Sequence, residues 1–315
     1  MTSGYAESRD LASNKGKEVE IIDLANQNFV CTPLGSIANL TLGSTGNQLD
    51  STPIVCGGQD LSNSDKIYKT CQIIGTEKVI ELKEERSFAG NLVINEKLWI
   101  TGGISSSGML KTTEFVTLEG SEIGPDLPIR MTKHCTTQIG PNKVMFIGGD
   151  TESESESQKT WIYDLEDRLW TQSPEFETQR IDFSCATFQK EDKTTVVLLG
   201  GNSVKVEFFD VESSQWSWGP DFPVKIKGLV ALGFDSEVFT IGGESESGMI
   251  SSIYNLKCDS EGCFWTELEQ KLSKSRSYHV AMFVPSNITE CSASSQSASF
   301  SAILFAFVIY LCKEN

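Results

Sequence analysis

Histidine is scarce in this chain: only His134 and His279 occur in 315 residues. Two histidines do not suffice for the imidazole-rich ligand sets of most metal hydrolases, and they leave few ways to build a Ser/His/Asp triad. Cationic residues are also few, with 26 Lys and Arg against 43 Asp and Glu and a net charge of −17. No basic stripe exists to neutralise phosphates, so nucleic acid is not an expected partner. The first twenty residues, MTSGYAESRDLASNKGKEVE, contain no apolar run and therefore no signal peptide. The one long apolar stretch lies at the other end, from Ala298 to Cys312, and is shorter than the roughly 20 residues that span a bilayer.

What is present is a core-forming composition, 39% hydrophobic and 22% charged, with 26 glycines. Five glycine doublets each follow a short apolar run: PIVC-Gly57-Gly58, LWIT-Gly102-Gly103, VMFI-Gly148-Gly149, VVLL-Gly200-Gly201 and VFTI-Gly242-Gly243. A recurrence of this length points to a propeller or array. The intervening sequence repeats too. VEFFDVESSQWSW carries Asp210 and Trp216, WIYDLEDRLW carries Asp164 and Trp170, and IYNLKCDSEGCFW carries Asn255 and Trp265. Each unit reads as four short strands: one before a turn, one ending in the doublet, one ending near Tyr/Phe-Asp, and one bearing tryptophan. Aromatic residues fill the space between radially packed sheets, and the glycines end the second strand where a side chain would obstruct.

This pattern resembles the kelch repeat, best seen in RIDFSCATFQKEDKTTVVLLGGNSVKVEFFDVESSQWSWGPDFP. The resemblance covers residues 17–291 and implies an all-β, six-bladed kelch-type β-propeller. Residues 1–16 are read as a disordered or truncated N-terminal remnant, and residues 292–315 as a Ser-rich spacer and apolar tail. Blade two, Arg86 to Pro128, lacks the tryptophan, and blade one is the most divergent. EVEIIDLANQNFV, from Glu18 to Val30, mirrors the third and fourth strands of a blade, and SRSYHVAMFV, from Ser275, mirrors a first strand. Pairing N- and C-terminal strands in one blade closes the ring and hides its edges. That blade has no doublet. Either VPSNITEC is a degenerate second strand or the chain is an N-terminally incomplete version of a secreted or surface protein.

Nine cysteines favour an oxidising compartment. Candidate disulfides are Cys258 with Cys263 across a hairpin, Cys56 with Cys71 on neighbouring strands, and Cys31 with Cys291 at the closure. Cys135 and Cys185 are expected to be buried free thiols. Asn39 and Asn287 begin glycosylation sequons. The tail has the layout of a lipid-anchor signal, with Ser292 to Ser295 as attachment positions; a transmembrane or tail-anchored segment is the alternative.

No catalytic, metal or cofactor-binding residue is assigned, and no cofactor is expected. A kelch-like copper oxidase needs paired tyrosines beside two histidines, whereas His134 and His279 fall at matching first-strand positions as ordinary repeat residues. DSEGCFW, Asp259 to Trp265, has sialidase Asp-box residues at the wrong spacing. The acidic loops carrying Glu152, Glu154, Glu156, Glu244 and Glu246 lack calcium-loop spacing and read as solvated. The resemblance implies a non-enzymatic module whose protein partner docks on the face formed by the loops after the doublets and between blades. The acidic loops would favour a basic partner. An extracellular or surface-anchored module is expected, with an intracellular, tail-anchored adaptor as the alternative and an oxidase or glycosidase as a third reading.

Overall fold

The computed structural model describes residues 19–22, 29–31, 37–39, 41–284, 291–293 and 306–307. Within them lie five four-stranded antiparallel meanders, packed one against the next in chain order. The first contains Thr45–Leu49, Thr52–Cys56, Thr70–Ile73 and Val79–Glu81. The second contains Gly90–Ile94, Lys97–Thr101, Thr113–Thr117 and Gly120–Ile123. The third contains Cys135–Gly140, Lys143–Ile147, Thr160–Asp164 and Leu169–Ser173. The fourth contains Phe183–Lys190, Lys193–Gly200, Glu207–Asp210 and Gln215–Trp218. The fifth contains Val230–Phe234, Glu237–Ile241, Ser252–Asp259 and Gly262–Lys271.

In every sheet the second strand is covered on both faces, which is why it reads as an unbroken apolar run. All ten glycines of the doublets have positive φ. At Gly57 a Cβ would stand 2.2 Å from the Arg86 carbonyl oxygen of the next sheet, so the doublet marks where successive sheets touch.

Tryptophans lock the fourth and fifth sheets to their preceding linkers. Trp216 Nε1 donates to the Pro174 carbonyl at 2.8 Å, and Trp265 Nε1 donates to that of Pro220 at 3.1 Å. Phe176 and Phe222, two residues beyond those prolines, pack against the same rings. The second sheet, without a fourth-strand tryptophan, places Trp99 on its second strand, fully buried and stacked on Phe115. Asp164 and Asp210 hold their turns by accepting backbone N–H groups of Glu166 and Ser213. Asn255 differs from that expected role. It is buried and donates to Glu237, while its strand runs on to Asp259, which makes the turn instead.

Three buried ion pairs recur in alternate units. Arg86 Nη2 meets Glu114 Oε1 at 2.9 Å, Arg180 Nη2 meets Glu207 Oε1 at 2.8 Å, and Arg276 Nη2 meets Glu20 Oε2 at 2.8 Å. Each carboxylate also accepts backbone N–H groups: Lys83 and Glu84 for Glu114, Glu177 and Thr178 for Glu207, and Ser273 for Glu20. Desolvating such charges is tolerable because each carboxylate is bonded to both its arginine and the backbone, although Arg86 Nε is buried without a partner. Glu20 therefore holds, from the N-terminal segment, the position that Glu207 holds in the fourth sheet. Val19 and Ile21 share a core with Val280, Met282 and Val284.

The structure pairs Cys56 with Cys71 and Cys258 with Cys263. It also joins Cys135 to Cys185, correcting the expectation of buried free thiols there. Neighbouring first strands run side by side there, so equivalent positions face each other, as Thr137 and Thr187 do one step along at 2.7 Å. Cys31 is in register with Cys291 between Phe29–Cys31 and Cys291–Ala293. Ala306–Phe307 pairs antiparallel with Phe283–Val284, so this part of the apolar tail is a strand. Among the described residues no helix is long and apolar enough to cross a membrane. Asn39 is exposed, whereas Asn287 and the rest of residues 285–290 of VPSNITEC, residues 1–16 and the Ser-rich spacer beyond Ala293 lie outside the described residues.

Candidate functional site

The first strands converge on a central cavity of about 430 Å³, whose polar lining includes Asn47, Asn91, Thr136, Gln138 and Ser184. Six residues just ahead of these inner segments share a left-handed backbone: Gly43 (φ 67°), Phe88 (54°), Lys133 (55°), Asp182 (58°), Gly228 (61°) and Tyr278 (54°). Main-chain hydrogen bonds run from one to the next. Phe88 N donates to Gly43 O at 2.6 Å, Lys133 N to Phe88 O at 2.8 Å, Gly228 N to Asp182 O at 2.8 Å, and Tyr278 N to Gly228 O at 2.8 Å.

The four of these residues that carry side chains form a plug-like cycle, each standing immediately before a segment that lines the cavity. Tyr278 Oη donates to Asp182 Oδ2 at 3.0 Å. Lys133 Nζ stands 3.1 Å from Asp182 Oδ1 as an ion pair, without hydrogen-bond alignment. The same ammonium lies 5.2 Å from the centroid of the Phe88 ring, and Phe88 meets Tyr278 edge to face at 6.1 Å. Burial, then the charge and hydrogen bond of Asp182, push the Tyr278 hydroxyl above its ordinary range. The two glycines make room: a Cβ on Gly43 would lie 2.6 Å from the Phe88 ring. None of these four residues stands out in the sequence, because the left-handed position is filled by five residue types. The one legible signal is an arginine two residues upstream, as in Arg86-Ser87-Phe88, Arg180-Ile181-Asp182 and Arg276-Ser277-Tyr278.

Around this plug stand the loops after the doublets. Between those of the first, second and third sheets is a second cavity of about 540 Å³. Its wall includes Asp65, Ile67, Phe88, Met109, Lys133 and Asp150. Beside it, Asp60 is held at about 2; burial opposes ionisation, but hydrogen bonds from Ser62, Tyr68 and the Ser62 and Asn63 backbones outweigh it.

The expected acidic loops are only partly free. Glu152 pairs with Arg130 at 3.5 Å, Glu156 with Lys159 at 3.3 Å, and Glu246 with Lys225 at 3.2 Å. Glu154 opens a single 3-10 turn, and Glu244 lies on a two-residue strand. Among the described residues no three His, Cys, Asp or Glu side chains gather closely enough to hold a metal ion.

His134 and His279 are buried, and both belong to the lining of the central cavity. Burial drives His134 down to about 3; burial and then the Arg276 charge do the same to His279. His134 Nε2 is 2.9 Å from Thr101 Oγ1, and neither ring nitrogen of His279 has a protein partner. Both are neutral at physiological pH.

No protein-family model matches the sequence, and no characterised protein matches it. Among solved structures the chain is similar to one described as "Structure of YjhT", with a TM-score of 0.63 and 12% identity over 75% of this chain and 87% of that one. At that identity the likeness is one of fold, and it supports reading the packed four-stranded sheets as a β-propeller.

Proposed function

We propose that the protein is a six-bladed, kelch-type propeller serving as a non-enzymatic protein-binding module outside the cell. Its partner docks on the face bearing the loops after the glycine doublets. The observation that carries this reading is the sixfold left-handed position. The backbone of the inner ring repeats at Gly43, Phe88, Lys133, Asp182, Gly228 and Tyr278, while the loops mounted above it differ in length and charge. A rigid scaffold with variable loops is the usual way of carrying recognition.

Six such positions support a count of six blades, five of which are the complete meanders. Residues 279–284 and 19–22, brought together by the Arg276–Glu20 pair, are read as the sixth. The plug of Phe88, Lys133, Asp182 and Tyr278 supports a docking surface rather than a substrate channel, since these side chains are held to one another on that face. The neutral, enclosed histidines fit a structural role. Three disulfides, one of them between blades, are consistent with an oxidising location. Because Ala306–Phe307 belongs to a strand, the reading does not depend on the tail as an anchor.

A photo-crosslinking residue at Ser106, exposed on the loop face, and another at Ile123, exposed on an outer strand, test the proposal on intact cells. Ser106 should give a discrete adduct that unlabelled protein competes away, and Ile123 should not. Equal labelling from both positions would refute the docking face. Free thiols at Cys56, Cys71, Cys258 and Cys263 in native material would move the protein to a reducing compartment and favour an intracellular adaptor.

A further inference from the structure

Resting on that docking face, the geometry points to its recognition element: we propose that the cavity between the first three doublet loops receives the side chain of an arginine from a partner's extended segment. Two carboxylates line this cavity, Asp65 and Asp150, and among the described residues neither is in an ion pair. The one cation on its wall, Lys133, is already committed to Asp182 at 3.1 Å and to the Phe88 ring. The loop acids Glu152, Glu156 and Glu246, by contrast, are satisfied by neighbouring cations. Of the carboxylates on this face that form no ion pair among the described residues, Asp65 and Asp150 are the two that line a hollow.

The remaining wall is apolar. Ile67, Phe88, Ile104 and Met109 are all partly exposed into the same space of about 540 Å³. An apolar wall ending in carboxylates matches a side chain with a long methylene stem and a cationic head. Arginine fits better than lysine, because its weakly hydrated planar head lies flat on an aromatic or aliphatic wall and can bridge two carboxylates with separate N–H groups. Net charge of −17 on the whole chain steers such a partner toward the protein but does not select the spot; the unpaired Asp65 and Asp150 do.

The test uses the intact protein with its methionine methyls labelled with carbon-13. Met109 lines the cavity, whereas Met145 and Met282 are buried elsewhere and serve as controls. Acetyl-arginine methylamide should shift the Met109 signal saturably and leave the controls in place. The citrulline analogue, of the same shape without the charge, should bind at least about tenfold more weakly. Asp65→Asn with Asp150→Asn should abolish the shift while the control methyls and the melting temperature remain as in the parent. Equal shifts from arginine and citrulline, no shift at Met109, or a shift that survives the double substitution would each overturn the assignment. If the arginine probe fails while Ser106 still crosslinks a partner, the assignment falls and the docking face stands; if the crosslink fails as well, both fall.

Discussion

Tyr278 Oη donates to Asp182 Oδ2 at 3.0 Å although the two residues lie 96 positions apart. They stand just ahead of the first strands of non-adjacent units, so the bond does not join neighbours. With Lys133 and Phe88 they form a closed cycle, each member held by two others. Truncating either end should therefore loosen more than one contact. Tyr278→Phe is expected to cost about 1–2 kcal/mol, because the Asp182 carboxylate loses its aligned donor. A double-mutant cycle with Asp182→Ala should show coupling of about 1 kcal/mol or more in denaturant unfolding. Additive losses would mean the bond contributes nothing.

Glu20 and Glu207 occupy equivalent sites, and their substitutions should have equivalent consequences. Removing one member of a buried ion pair leaves the other charged and unmatched, at a cost of about 3–5 kcal/mol. Glu207→Gln should approach that range. Glu20→Gln should fall somewhat below it, since the Glu20 side chain is 18% exposed. Equilibrium unfolding of both variants checks this. A Glu20→Gln protein as stable as the parent would mean that the N-terminal segment does not close the ring.

Much of this architecture can be read directly from the residues. The doublets, the Tyr/Phe-Asp turns and the late tryptophans each repeat a single residue type, because each answers one steric demand that recurs in every sheet. Asp164 and Asp210 could be matched on that basis; Asn255 could not, because a longer, disulfide-stapled hairpin moved the turn to Asp259. The plug was hidden for the opposite reason. A left-handed backbone constrains φ, not side-chain chemistry, so Gly, Phe, Lys, Asp, Gly and Tyr share one position without resembling each other. The Cys135–Cys185 bond was equally hidden, because contacts between first strands of neighbouring sheets depend on how closely the sheets pack.

That inter-sheet disulfide should contribute more stability than the hairpin disulfide. Cross-links act largely on the unfolded chain, and the loop-closure relation gives about 4 kcal/mol for a separation near that of Cys135–Cys185 against about 2 kcal/mol for one near that of Cys258–Cys263. Their separations are 50 and 5 residues. Paired Cys→Ser variants compared by urea unfolding should preserve this order. The reverse order would show that the first-strand contact is strained or that the unfolded chain is already restricted there.

Acid should weaken the protein before its carboxylates titrate. His134 and His279 are held at about 3 when folded, while an unfolded histidine titrates near 6.5. Between those values the unfolded chain binds more protons, so stability is complete above about pH 6.5 and falls as pH drops toward 3. At pH 5 the loss amounts to about 2 kcal/mol per histidine. His279→Leu removes one of the two contributions without breaking a hydrogen bond, since neither ring nitrogen has a protein partner. It should therefore halve the slope of stability between pH 6.5 and 4. An unchanged slope would place the acid sensitivity elsewhere.

The apolar tail offers the clearest choice between two physical roles. Second strands of the five complete sheets are apolar on both faces because neighbouring sheets cover them: PIVC, LWIT, VMFI, VVLL and VFTI. The segment ILFAFVIY around Ala306–Phe307 has the same character, and those two residues pair with Phe283–Val284, whose Val284 is buried in a core with Val19 and Met282. A strand in that place would protect the sheet edge and its apolar faces from water. Deleting residues 302–315 should then lower the melting temperature by several degrees and speed amide exchange at Phe283 and Val284. If the shortened protein melts like the parent with unchanged exchange at both amides, the strand contributes nothing to the fold and the tail is free to act as an anchor.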